Sequence, residues 1–175
     1  MFYEPKNGHP FKIDPYKALV FPRPIGWISS VSKKGIPNLA PYSYFNAVAD
    51  EPPQVMFCSN GDSAYGGYKD SLTNILSTKE FVVNFATAKT RDAMNISSSN
   101  YEPNEDEFVA ANLKKRKSKL VKPPSVNDSP VNLECKLLKT LKLKTNTKKI
   151  STMVIGEIIG IYINNKFIKN GRIDS

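Results

Sequence analysis

The sequence predicts a mainly β protein with short helices, folded as an antiparallel, Greek-key-like barrel. Several segments rich in β-branched and aromatic residues follow one another, and the helical patterns between them are short. Strands that alternated regularly with long helices would instead indicate a parallel sheet. Nine of the thirteen prolines fall in residues 1–53, which predicts an extended start. Gly156 and Gly160 lie inside the last long apolar segment and predict bends or bulges of the kind found at barrel corners.

The N-terminal half is expected to contribute three strands. Residues 25–32 (IGWISSVS) are rich in strand formers and lead into a glycine-containing turn at residues 33–35. Residues 54–59 (QVMFCS) form a short, mostly apolar run, which is typical of a buried strand. Residues 80–86 (EFVVNFA) have the same character and predict the third strand.

A loop and a helix are expected between the second and third of these strands. Residues 60–68 contain three glycines and no periodicity, which predicts a loop. Residues 69–78 are predicted to form a helix, because Leu72, Ile75 and Leu76 fall on one helical face and Asp70 is a natural N-cap.

The C-terminal half is expected to begin with two short helices and to continue with strands. The helices are predicted at residues 90–99 and 105–113, and Phe108, Ala111 and Asn112 are the inward-facing candidates of the second. The remaining predicted strands are residues 131–143, 151–164 and 166–168. With no repeat or linker visible, we expect one domain over residues 1–175.

The net charge of +9 originates in one segment. Residues 114–149 hold 12 Lys and Arg against two acidic residues, whereas the rest of the chain holds 13 basic and 14 acidic residues. Sites that stack nucleic-acid bases interleave basic and aromatic side chains, and no aromatic residue lies between Phe108 and Tyr162. We therefore expect a solvated lysine-rich loop and strand edge and no specific nucleic-acid site. Binding of nucleic acid or another polyanion is the alternative.

Composition excludes several kinds of site. The cysteines, Cys58 and Cys135, form no C-x-x-C motif, and the only histidine is His9, so neither a disulfide framework nor a zinc site is expected. The longest apolar stretch is too short for a membrane span, and the N-terminus is not a secretory signal, which predicts a cytoplasmic protein. If the chain is an enzyme, a cofactor is expected to supply the chemistry, because no catalytic side chain stands out.

One segment has the properties of an anion site. A glycine-rich loop enters a helix whose first N–H groups are free, with Lys69 immediately before the helix and hydroxyls in its first turn. The alternative is an ordinary helix start with a surface lysine. No G-x-G-x-x-G or G-K-[ST] motif is present, so the two common nucleotide fingerprints do not apply.

Taken together, the motifs resemble the flavin-reductase-like family, whose members are FMN-binding split β-barrel flavoproteins. The matching pieces occur in the family's order and span about residues 16–174. They are PRPIGWISSVSKKGIPNLAPYSYFNAVADEPPQVMFCSNG, KDSLTNILSTKEFVVNFA, NEDEFVAANL, DSPVNLECKL and IGEIIGIYIN followed by GRID. The resemblance implies FMN binding, oxidoreductase activity with NAD(P)H as donor, and a homodimer with the flavin near the subunit interface.

The resemblance also implies which residues contact the flavin. The N-L-A-P-Y-S-x-F segment would line the isoalloxazine, and the alternative for its aromatic side chains is core or dimer packing. The K-D-S-x-x-N segment would lie on the phosphate side, where Asp70 could instead only cap the helix. The implied cofactor residues are Arg23, Ser29, Asn38, Ala40, Pro41, Tyr42, Ser43, Phe45, Ser59, Asn60, Lys69, Asp70, Ser71 and Asn74.

Two features temper what the resemblance implies. Family members usually continue past the GRID motif, whereas this sequence stops at Ser175. Either the tail is dispensable or the sequence is a shortened form, and in the second case we expect pocket closure, FMN affinity and activity to be affected. A flavoprotein that holds FMN without turnover, or that carries electrons, is the main alternative to a reductase. The alternative role for Ser29 is a strand hydroxyl that is hydrogen-bonded to the backbone. Cys58 is expected to be a buried packing residue without a redox role.

Overall fold

A computed structural model describes residues 1–173 and contains eleven strands. Their bounds are β1 Gly26–Val31, β2 Pro37–Tyr42, β3 Phe45–Asp50, β4 Pro53–Asn60, β5 Glu80–Asn84, β6 Lys115–Arg116, β7 Ser125–Val126, β8 Val131–Lys142, β9 Ser151–Ile163, β10 Ile168–Lys169 and β11 Arg172–Ile173. The α-helices are α1 Tyr16–Leu19, α2 Asp70–Thr78, α3 Arg91–Ile96 and α4 Glu107–Ala110. Short 3-10 turns cover Pro5–Asn7, Ala88–Thr90 and Asn165–Phe167.

Seven strands form one antiparallel sheet in the order β2-β1-β5-β8-β9-β4-β3. The sheet curls until its two edges meet at one end. There Tyr42 of β2 packs against Phe57 of β4 with ring centroids 4.7 Å apart, and Gly26 of β1 lies against the ring of Phe45 on β3. The predicted mainly β, antiparallel barrel is confirmed, and its partial closure makes it a split barrel.

The barrel interior holds the main core. Aromatic and branched side chains from β1, β4, β5, β8 and β9 meet there, and Leu72 and Ile75 of α2 cover it. A second cluster on the outer face packs Trp27 and Leu39 against Phe108 and Val126. Both faces of β1 are therefore covered, and all six of its residues are buried. This explains why its sequence shows no alternation of polar and apolar residues.

The glycines of β9 mark the irregular places in the sheet, as predicted. The pairing of β8 with β9 shifts register beside Gly160 and again beside Gly156. A Cβ atom on Gly156 would lie 2.4 Å from Cζ of Phe81, whose ring is fully buried in the barrel. Glycine at this position therefore lets β9 pass close to a core aromatic ring.

The predicted elements are found with shifted ends, but β2, β3 and α1 were not predicted, and three details of the predicted elements are wrong. The helix predicted at residues 105–113 is only the single turn of α4, and Asn112 is exposed instead of inward-facing. Its φ of 51° places it in the left-handed region, where a helix terminates. The strand predicted at residues 166–168 is mostly the 3-10 turn Asn165–Phe167.

The basic segment is fixed to the barrel by acceptors beneath its backbone. The Glu134 carboxylate accepts hydrogen bonds from the N–H groups of Lys119 (2.8 Å) and Leu120 (2.6 Å), and Glu80 accepts one from Lys122 N–H (2.9 Å). The lysine side chains of residues 114–122 are exposed. Arg116 differs, because it donates to Asn132 and stacks on Tyr162. No helix within residues 1–173 is long and apolar enough to cross a membrane.

Gly156→Ala tests the close approach of β9 to Phe81. We expect the free energy of unfolding to fall by about 1–3 kcal/mol, because either the ring or the strand must move. Gly160→Ala is the matched control on the same strand, since the nearest atom to its Cβ would be Leu120 Cδ1, at 3.1 Å, and the Glu134 side chain would lie at 3.5 Å or more. Urea denaturation of both variants measures the difference, and equal losses would contradict this explanation.

Candidate functional site

A polar cleft of about 240 Å³ opens at the end of the barrel. It lies between β2, the end of β4, the N-terminus of α2 and the segment that follows α3. Its lining residues are Asn38, Ala40, Pro41, Tyr42, Ser43, Tyr44, Cys58, Asn60, Asp62, Ser63, Ala64, Lys69, Asp70, Ser71, Ser97, Ser98, Ser99, Asn100, Tyr101 and Glu107. Nine of the fourteen residues implied by the family resemblance are among them.

The β2 wall supplies backbone groups and Tyr42. In the large sheet β2 is an edge strand that pairs only with β1, and an edge tolerates the missing N–H group of Pro41. Burial raises the pKa of the Tyr42 phenol to about 12, while hydrogen bonding with Ser71 and Ser59 opposes the rise. Tyr42 is therefore a neutral hydrogen-bonding group at physiological pH.

The start of α2 forms the cationic side of the cleft. The helix begins at Asp70 with Lys69 at the N-cap position, so the prediction of Asp70 as the N-cap is wrong by one residue. No side chain caps the helix, and the first-turn N–H groups are left without helical partners. Within residues 1–173 Lys69 forms no ion pair. Burial raises the pKa of the Asp70 carboxyl beside this lysine.

A buried hydrogen-bond network connects this helix to β2 and α4. Ser71 Oγ donates to Asn38 Oδ1 at 2.7 Å, and Asn38 Nδ2 donates to Glu107 Oε1 at 2.5 Å. The second oxygen, Glu107 Oε2, accepts from Leu39 N–H at 2.9 Å. On the far side, Ser30 Oγ also donates to Asn38 Oδ1. The network therefore holds three elements of the cleft in a fixed relation.

Sequence reasoning missed Glu107, which lines the cleft and is only 6% exposed. Burial raises the pKa of its carboxyl to about 7; the hydrogen bonds to Asn38 and the backbone oppose the rise, and the charge of Asp70 adds to it. The carboxylate lies in a sequence with 16 acidic residues, and its partner Asn38 is 69 positions away. Nothing local distinguishes it from a solvated glutamate.

The segment after α3 was also missed. Ser97, Ser98, Ser99, Asn100 and Tyr101 form the cleft wall that α3 leads into. Ser97 Oγ accepts from the indole N–H of Trp27 at 2.9 Å, which fixes this wall to β1. Three consecutive serines between two short helices were the available signal.

Four predicted residues lie outside the cleft, away from its walls. Ser29 is buried and donates to the Pro124 carbonyl at 2.6 Å, which matches its alternative role as a backbone-bonded strand hydroxyl. Asn74 lies one layer deeper and donates to Ser30 Oγ. Phe45 packs on the core and lines a separate apolar cavity. Arg23 donates to the carbonyls of residues 17 and 20 and lies 5.8 Å from the centroid of the Tyr44 ring.

Cys58 and Ser59 are neighbours on β4, and only Cys58 lines the cleft. Cys58 is buried, and burial raises the pKa of its thiol, which disfavours the reactive thiolate. The neighbouring Ser59 is a fifth predicted residue that does not line the cleft. Its Oγ is buried and makes no hydrogen bond of normal geometry within the described chain.

A curled seven-stranded sheet with a polar cleft beside a helix N-terminus defines the split-barrel, flavin reductase-like fold. The sequence profile of the flavin reductase like domain matches residues 18–171, and the chain belongs to this family. An uncharacterised protein of Aquifex aeolicus is 47% identical over 122 residues, which are 69% of this chain and 61% of that protein. The chain thus spans about three fifths of the length of that relative.

Two solved structures resemble almost the whole chain. Nitrilotriacetate monooxygenase component B from Bacillus cereus has a TM-score of 0.87 and 31% identity, and the match covers 99% of this chain and 87% of that one. The 2-nitrobenzoate 2-nitroreductase NbaA of Pseudomonas fluorescens has a TM-score of 0.81 and 28% identity, with 99% and 83% covered. The chain is therefore similar to proteins of oxidoreductase systems.

The pH dependence of stability tests the environment of Glu107. Its folded pKa is raised from 4.5 to about 7, so the folded protein holds this proton more tightly than the unfolded chain does. Glu107 should thus lower the free energy of unfolding as pH rises from about 4.5 to 7, by about 3 kcal/mol in all. Urea denaturation across this range should show the loss in the wild type and not in Glu107→Gln. An equal slope in both proteins would contradict the assignment.

Proposed function

We propose that this protein is an FMN-binding oxidoreductase that takes electrons from NAD(P)H and passes them to an acceptor. The observation that carries the proposal is the meeting of Lys69 and the uncapped start of α2 with the polar β2 wall in one cleft. Family membership and the resemblance to proteins of oxidoreductase systems support it.

The residues present fit the phosphate of FMN. A helix N-terminus with free N–H groups favours an anion, and a lysine without a carboxylate partner adds charge-assisted hydrogen bonds. Lys69 and the backbone of Ser71 would hold the phosphate. The hydroxyl of Ser59, which makes no hydrogen bond of normal geometry within the described chain, would bind the ribityl chain, which would satisfy a buried polar atom.

The ring system of the flavin would lie along β2. Ala40, Pro41 and Ser43 would offer backbone groups, and Tyr42 and Tyr44 would contribute flat surfaces. FMN supplies the redox chemistry when bound. The task of this chain is to bind and orient the cofactor, and it needs no dedicated acid or base for that task.

The main alternative is a flavoprotein that binds FMN without turnover or that carries electrons. Two measurements separate these functions. Purified protein mixed with FMN should quench flavin fluorescence, and it should then oxidise NADH or NADPH. Binding without oxidation of either nucleotide would favour the carrier, and absence of binding would overturn both functions.

Lys69→Ala should weaken FMN binding by about 1.5–3 kcal/mol, because a charge-assisted bond to the phosphate is lost. Riboflavin, which lacks the phosphate, should lose much less affinity. Isothermal titration with both ligands measures the difference. Lys34→Ala, in the exposed turn between β1 and β2, is the matched control and should leave both affinities unchanged. Equal losses for FMN and riboflavin would remove Lys69 from the phosphate site.

We also propose that the protein is a homodimer. The apolar cavity that contains Phe45 is open to solvent, and Phe85 beside it is 42% exposed. A second copy would cover this surface. Light scattering at micromolar concentration should give twice the chain mass of 19.5 kDa. Phe85→Asp should give monomers, whereas the control Phe167→Asp should not; a monomeric wild type would contradict the proposal.

A further inference from the structure

Ionised Glu107 dictates the orientation of the Asn38 amide. A carboxylate can only accept hydrogen bonds, so the amide group that faces Glu107 Oε1 must be Nδ2. Asn38 Oδ1 then faces the other way, where it accepts from Ser71 Oγ at 2.7 Å and from Ser30 Oγ at 3.2 Å. The amide therefore transmits the protonation state of Glu107 to α2 and β1.

This orientation fixes what Ser71 can offer to a ligand. A serine hydroxyl has one proton, and here Ser71 donates it to Asn38. Only lone pairs of Ser71 Oγ remain for the neighbouring Tyr42 hydroxyl and for the cleft that the residue lines. Lone pairs repel an anion, so in this state the side chain opposes a phosphate that the backbone and Lys69 would attract.

Protonation of Glu107 would reverse the pattern. Leu39 N–H still requires an acceptor, which keeps Oε2 as the unprotonated oxygen and places the proton on Oε1. Asn38 would then turn its Oδ1 towards Glu107 and its Nδ2 towards Ser71 and Ser30, both of which can accept. Ser30 already accepts from Asn74 Nδ2 at 3.2 Å and has a second lone pair free. The Ser71 proton would be released to donate into the cleft.

We propose that Glu107 is a positioning residue that acts through Asn38 to determine whether Ser71 presents a hydrogen-bond donor or an acceptor to an anionic group in the cleft. The proposal rests on the proposed function in one respect, namely that the anionic group is the phosphate of FMN at the start of α2. Affinity for the phosphate is then highest when Glu107 is protonated.

The surroundings of Glu107 make both states accessible near neutral pH. Burial and the charge of Asp70 on α2 favour the protonated form, and the pKa of the carboxyl is about 7. Tyr42 on β2 is neutral at this pH. Asp106, the neighbour of Glu107 on its own element, is ion-paired with Lys115. Asp70 is thus the charged group that needs its own control.

Glu107→Gln should lock the protonated arrangement. Leu39 N–H would select the amide oxygen of the substituted side chain, so its amide nitrogen would face Asn38 and force the turned orientation. The FMN dissociation constant should be measured at pH 6 and at pH 8 in both proteins. The ratio of the value at pH 8 to the value at pH 6 should be about ten times larger in the wild type than in Glu107→Gln. The ionisation of the FMN phosphate contributes equally to both proteins and cancels in the comparison.

Three further measurements distinguish positioning from simple charge. Ser71→Ala should bind FMN weakly already at pH 6. Its dissociation constant should then rise little between pH 6 and 8, because the hydroxyl that responds to Glu107 is absent. Asp70→Asn removes a charge that favours protonation of Glu107, so it should move the midpoint of the pH profile to lower pH and keep its amplitude. The dissociation constant for riboflavin, which has no phosphate, should depend on pH equally in the wild type and in Glu107→Gln. A full pH response in Ser71→Ala, or identical profiles for wild type and Glu107→Gln, would overturn the proposal.

Nitrogen NMR of the protein without flavin supplies an independent test. The side-chain amide resonances of Asn38 should shift with a midpoint near pH 7 in the wild type and stay constant in Glu107→Gln. If the protein binds no flavin, the proposed function fails, and this titration alone decides the inference. Constant Asn38 resonances in the wild type would overturn it.

Discussion

The buried side chain of Asn38 is the interaction on which the cleft depends. Buried polar groups must find partners, and this amide has partners on α2, β1 and α4 at once. α2 and α4 are distant in sequence and are joined here through one side chain of the sheet edge. Hydrogen bonds are directional, whereas apolar contacts are not. The amide and the Glu107 carboxylate therefore fix the orientation of α2, β1 and α4 relative to one another as well as their distance.

Buried glutamates have one recurring role in this protein. Glu107 accepts a backbone N–H of β2, and Glu134 accepts two from the basic segment. In each case a carboxylate binds irregular backbone or a sheet edge that has no strand partner at that point. The fold thus uses charge-assisted acceptors where ladder hydrogen bonds end. This explains how the lysine-rich residues 114–122 are held against the barrel.

Strands β1, β4, β5, β8 and β9, helix α2 and the cationic character of its start could be predicted from the sequence, because these features depend on residues within one helical turn or one strand. Strands β2 and β3 were missed, and in β2 the prolines Pro37 and Pro41 hide the strand character. Glu107 and the serine wall could not be predicted, since their roles depend on partners about 70 positions away, such as Asn38 and Trp27. Ser29 and Ser71 show the same limit. Both are hydroxyls in matching motifs, yet one bonds the Pro124 carbonyl and the other lines the cleft.

The outer edge of β2 has a consequence for self-association. N–H groups alternate between the two sides of a strand, and that of Leu39 points outward to Glu107. The outward positions on either side are Pro37 and Pro41, which have no N–H. This edge therefore presents no free donor with which a foreign strand could pair. An exposed sheet edge is a template for strand addition and fibril growth, and at the β2 edge this addition is blocked because no N–H group is free.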